Sequence, residues 1–108
     1  MFIPTEFRKD AQISAVIKTA LAELSPQVRY IRYSIDQDWT GDWAVFFRVV
    51  IADEVGSRTG RLEIGNRIRS RIMHDLDLPN LGMMPHFDLR TESEQAELKG
   101  KDWEPLAA

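Results

Sequence analysis

The succession of hydrophobic periods in this chain predicts a two-layer α+β domain with the order α-β-β-α-β, closed by a short C-terminal helix. Three observations predict it. Residues 10–24 carry an apolar stripe with a 3.6-residue period. Residues 28–35 and 43–52 alternate with a period of two and are joined by a short acidic loop. A second helical stripe at 59–76 precedes a third strand at 83–90.

In the first helix, Ile13, Val16, Ile17, Ala20, Leu21 and Leu24 recur at i, i+3, i+4, i+7, i+8 and i+11. Asp10 is placed to cap its N-terminus, and Ser25-Pro26 ends it. In the first strand Ile31, Tyr33 and Ile35 share one face, and Tyr30, Arg32 and Ser34 the other. In the second, Trp43, Val45, Phe47, Val49 and Ile51 make a core face. Its other face, Ala44, Phe46, Arg48 and Val50, is nearly as apolar, which places this strand in the sheet centre. The second helix turns Ile64, Ile68, Ile72, Met73 and Leu76 inward. In the third strand Met83, Phe87 and Leu89 face one way, His86 and Asp88 the other. Pro85 assigns that strand to an edge, because proline cannot donate to the ladder. Thr91-Glu92-Ser93-Glu94 fits a capping box and opens the last helix. The chain reads as one compact domain over 1–98 with a loose tail over 99–108, its two long helices covering one face of a three-stranded sheet.

At 108 residues the chain is long enough for one core. It has no cysteine, which excludes disulfides, zinc–thiolate sites and thiol nucleophiles. Met1-Phe2-Ile3 is followed at once by Pro4 and charged residues, so no signal peptide is expected. No apolar run approaches the roughly 20 residues of a membrane span, and a cytoplasmic protein is expected. The net charge of −3 argues against strong nucleic-acid binding. Charge is uneven, however: Arg58, Arg61, Arg67, Arg69 and Arg71 precede an acidic stretch from Asp88 to Glu104. The two can meet within one molecule or between two.

Three groups of residues invite a functional reading. Asp36-Gln37-Asp38-Trp39-Thr40-Gly41 opens like a calcium loop, with oxygen donors at positions 1, 3 and 5 and glycine at 6. Position 12 is Phe47 instead of glutamate, so Asp36, Asp38 and Asp42 read first as a hairpin turn bonded to its own backbone, with Gly41 at positive φ. Gly56-Ser57-Arg58-Thr59-Gly60-Arg61 has the glycines and cations of an anion-binding helix start but not the spacing of a nucleotide loop. It reads first as a loop capped by Thr59. Arg58, Arg61, Arg67 and Arg71 form the alternative anion-binding set, for phosphate or RNA; a solvated helix face is the plainer reading. His74 and His86, the only histidines, have no partner at a telling spacing. Trp39, Trp43, Phe46 and Phe47 read as core or interface.

Asp38-Trp39-Thr40-Gly41-Asp42, Phe46-Phe47-Arg48-Val49-Val50 and the Ser93-Glu94-Gln95-Ala96 segment resemble a family of short, uncharacterised bacterial proteins. The resemblance covers about 30–98. It implies a bacterial source and no established activity. Element order alone is similar to type II KH domains, ribosome-binding factor A and the cytoplasmic domain of cation diffusion facilitators. The G-x-x-G of the first and the metal ligands of the last are missing.

With no catalytic constellation and no cofactor signal, the expected function is that of a small soluble interaction module. It self-associates or acts with a protein partner. The expected interface is Tyr30, Phe46, Val50 and Trp103, on the sheet face the long helices leave open. The plain alternative is that the tail folds back over that face, setting Leu98 and Trp103 against Phe46. Phosphate or RNA binding is the second functional reading, and a divalent-cation regulator the third.

Overall fold

The computed structural model describes residues 5–103, with side chains from Asp10 onward. The N-terminal stretch and the last part of the tail discussed above lie outside the described residues. The first helix, α1, spans Thr5–Leu24. It begins a full turn before Asp10, so Asp10 is not its cap. The Asp10 carboxylate instead accepts a hydrogen bond from the Tyr33 hydroxyl. The expected stripe is the buried one: Ile13, Val16, Ile17, Ala20 and Leu24. A cis Ser25–Pro26 bond then leads into the sheet.

Strand β1 is Val28–Gln37, β2 is Trp43–Ile51 and β3 is Met84–Thr91. Their order is β1-β2-β3. The first pair is antiparallel and the second parallel. The two-sided apolar strand is thus central, and Pro85 does lie on an edge strand. Helix α2 spans Arg58–Asp75 and supplies the crossover. Its cap is Ser57 and not Thr59: the Ser57 side chain accepts from the Gly60 amide at 3.0 Å. The two glycines of this loop serve close packing. A Cβ on Gly56 would stand 2.5 Å from the Thr91 methyl, and one on Gly60 would stand 2.6 Å from the Val55 carbonyl oxygen.

One sheet face packs on α1 and α2. Val45, Phe47, Val49 and Ile51 of β2 are fully buried against Ile64, Ile68 and Ile72 of α2 and the α1 stripe. Trp43 departs from the expected core row. It sits at the hairpin end of β2 and is 46% exposed.

The other face is covered over half its length by the chain's own C-terminal segment. Helix α3, Glu92–Leu98, starts from a complete capping box between Thr91 and Glu94. Asp53 accepts from both the amide and the hydroxyl of Ser93. Arg29 pairs with Glu92, and Arg61 with Glu94. The basic and acidic stretches therefore meet within the molecule at Arg61. A single turn, Lys101–Trp103, follows. Trp103 is only 9% exposed. The Tyr30 hydroxyl donates to its carbonyl, Arg32 donates to the Lys101 carbonyl at 2.6 Å, and the Arg90 guanidinium lies 4.1 Å above the indole.

Two expectations need correction here. The segment from 99 is packed as far as Trp103 and is not a loose tail over that length. The face set out as an interface divides: Val50 (1% exposed) and Trp103 are buried within the chain, while Tyr30 and Phe46 are half-buried. Nor does the cover reach Phe46 as pictured. Trp103 lies beside Arg90, in the row Tyr30–Val50–Arg90, and Leu98 stays exposed.

Candidate interaction face

The register fixes what the uncovered half presents. Reading across β1, β2 and β3, one row is Arg32, Arg48 and Asp88. The next is Ser34, Phe46 and His86, and the last is Asp36, Ala44 and Met84. Period-two alternation puts all nine on the face opposite the long helices.

His86 is the joint of this half. Its ring stacks on Phe46, with centroids 5.0 Å apart and planes inclined by 16°. Trp39, from the hairpin tip, leans on its other neighbourhood at 5.4 Å. Its Nε2 lies 3.6 Å from Asp38 Oδ2, fully buried and without a hydrogen bond. Arg48 donates to the Ser34 hydroxyl at 2.8 Å, and its guanidinium lies 5.8 Å over the Phe46 ring.

The hairpin that carries Trp39 is held by Asp38. One carboxylate oxygen accepts from the Thr40 amide (2.9 Å), the Thr40 hydroxyl and the Asp42 amide (3.2 Å). The Asp38 amide donates to the Asp42 carbonyl, and Gly41 takes φ 88°. The acidic corner is the self-bonded hairpin turn. Asp36 and Asp42 are spent the same way, on the Gln37 amide and on the Thr40 hydroxyl. Among the described residues no group of three or more metal-ligating side chains is placed to hold an ion.

This geometry bears on chemistry. A hydrolytic triad needs a hydroxyl on the imidazole and a carboxylate behind it. Here Thr40 bonds to the carboxylate, and Ser34 stands two strands from His86, about 10 Å away at ordinary strand spacing, with Phe46 between them. A base-stacking platform needs rings that offer their faces. Phe46 and His86, nearly parallel on adjacent strands, turn their faces to each other.

The alternative anion set is dispersed. Arg61 bonds the Gly56 carbonyl and Glu94. Arg67 bonds Gln27. Arg71 lies between Glu23 (2.8 Å) and Asp75 (3.4 Å). Arg67 and Arg71 share a cleft, an open one of about 560 Å³ that Glu23 and His74 also line. Arg58 is not part of it. Arg69 stacks on Phe87 at 4.8 Å.

Three carboxylates titrate below their ordinary values. Asp38 is lowered chiefly by the Thr40 hydroxyl, Asp53 chiefly by the Ser93 hydroxyl, and Glu94 chiefly by the Thr91 amide and then by Arg61. A depressed folded value means that each stabilises the fold fully above its unfolded value. That contribution is lost as pH falls through the folded one. Unfolding midpoints in urea are expected to fall on acidification from about pH 5 toward pH 3. Asp53→Asn combined with Glu94→Gln should flatten that fall and lower stability at neutral pH. An acid limb as steep as the parent's would refute the assignment.

The sequence grouped Trp39 with Phe46 as core or interface and did not join His86 to them. Phe46 and His86 meet through a parallel register, and no local signal sets it. Met84, 52% exposed beside Ala44, and Arg48 were read as strand residues only. No protein-family model, curated protein or solved structure matches the chain. Among the described residues no helix is long and apolar enough to cross a membrane.

Proposed function

We propose that this chain is a non-enzymatic interaction module that binds a protein surface, its own or a partner's, with the uncovered half of the sheet. One observation carries the reading. Trp39 is 83% exposed, yet it stands on a fixed support, the His86–Phe46 stack and the Asp38-bonded turn. A large ring held in place loses little freedom on binding, and such residues dominate interface energies. Met84, exposed at the same end of the sheet, extends the apolar area, and Arg48 borders it. The resemblance of the hairpin and the Ser93-Glu94-Gln95-Ala96 segment to short bacterial proteins supports a bacterial setting for this role.

A photoreactive phenylalanine analogue tests it. Placed at position 39, it is expected to crosslink efficiently in cells, to this chain or to one other protein. Placed at Leu62, exposed on α2, it should give little. Equal yields from the two positions, or none from position 39, would overturn the proposal.

A further inference from the structure

Helix α3 lies over the sheet without burying a side chain of its own. Its two apolar residues, Ala96 and Leu98, are exposed. What joins it to the fold is polar. Asp53 accepts from the amide and the hydroxyl of Ser93, Arg29 reaches Glu92, and Arg61 reaches Glu94. Arg90 donates to the Gln95 side chain at 2.9 Å and to the Lys99 carbonyl at 2.8 Å. All of these side chains are exposed or half-buried. Ion pairs so placed contribute little each, because water competes for both partners. From Glu92 to the end of the turn, Trp103 is the one buried side chain. The segment thus has a polar latch at its start and an apolar anchor at its end.

Backbone strain lies between the two. Lys99 takes φ 55° and ψ −150°, a region that disfavours a residue with a Cβ, and Gly100 follows at φ 110°. Release of the anchor lets Lys99 return to an ordinary conformation, so this strain favours an open state. The layers beneath do not need the segment. Strand β2 pairs with β1 on one side and β3 on the other, and its core row packs on α1 and α2 across the opposite face. Few buried contacts and solvent-facing hydrogen bonds mark an element that opens well short of global unfolding.

We infer that Glu92–Trp103 is a strap: it opens as one unit about Thr91 while the sheet and the two long helices stay folded. Opening bares Val50, which the closed strap keeps from solvent. The inference rests on the interaction-face reading for its consequence alone. That consequence is a longer face presented to a protein surface when the strap is open.

Native-state hydrogen exchange, read by NMR, decides it. The reporters are the amides of Lys99 and Trp103, which donate to the Gln95 and Gly100 carbonyls. In the parent both are expected to exchange through one common opening, and far faster than the amides of Val49 and Ile51 in β2. Asp53→Ala removes the latch at Ser93, remote from both reporters. It is expected to speed both alike, by about tenfold, the effect of losing hydrogen bonds to a carboxylate. Ser93→Ala should act in the same direction. A Trp103 amide that keeps its parent rate in both variants would overturn the inference. So would reporters that exchange no faster than Val49 in the parent. The photoreactive analogue at position 30 reads the consequence: its crosslinks to the protein caught from position 39 should rise when Asp53→Ala is added, and an unchanged yield would overturn that part. Crosslinks from position 39 with uncoupled exchange would remove the strap and leave the interaction face. Coupled exchange with no crosslink from position 39 would remove that face and keep the strap as a moving part.

Discussion

Trp103→Ala is expected to cost about 3–5 kcal/mol, the usual range for removing a buried tryptophan. Against a typical total of about 5–15 kcal/mol, that brings the chain close to unfolding. The indole packs beside the Tyr30–Val50–Arg90 row, and its loss removes the contact with the Arg90 guanidinium and loosens the turn whose Trp103 carbonyl accepts from the Tyr30 hydroxyl. Val50, now fully covered, becomes exposed. Urea unfolding followed by circular dichroism measures the loss. Trp103→Phe should retain a substantial part of the stability, because a ring still fills the site. A loss below about 1 kcal/mol, the range of surface substitutions, would mean that the 101–103 turn does not hold this position in solution.

Phe47→Ala should be as severe, again about 3–5 kcal/mol. Phe47 has no accessible surface and lies at the middle of the central strand. Its ring stacks on Phe87 of β3 at 4.8 Å with planes 14° apart, and Arg69 of α2 caps Phe87 from outside. Removing Phe47 therefore opens a cavity and unseats the parallel edge strand. Phe47→Leu should cost less, since much of the volume is kept. A cycle with Phe87→Leu should show coupling of about 0.5–1.5 kcal/mol beyond additivity. Strict additivity would mean that the two rings act independently.

What was legible in the sequence was whatever a local period or a short-range cap dictates. The α1 and α2 stripes, the inward row of β2, Pro85 on an edge and the Thr91–Glu94 capping box all follow from spacings of two to four residues. The misplaced caps have a common cause. Asp10 and Thr59 are good capping types, but α1 runs on past Asp10 toward the N-terminus, and Ser57 reaches the Gly60 amide first. The second face was misjudged for a different reason. Whether a few residues after α3 fold back depends on where Arg32, Tyr30 and Arg90 stand in space. That is set by three strands at once and leaves no periodic trace. The same holds for the candidate site: Asp38 and His86 are brought together by the β2–β3 register, not by their spacing in the chain.

The central position of β2 also orders the route by which the native state is reached. Its pairing with β1 needs only the closure of a tight turn, an event on the microsecond scale. Its pairing with β3 waits for the whole α2 crossover to come round, and such distant closures dominate folding rates. Once the hairpin exists, β2 presents one bonded edge and one vacant edge, with Phe47 already in place to receive Phe87. Until β3 arrives, that vacant edge is a strand of nine mostly apolar residues open to any other chain. The nascent protein is therefore most exposed to misassembly in the interval between completing the hairpin and completing the crossover.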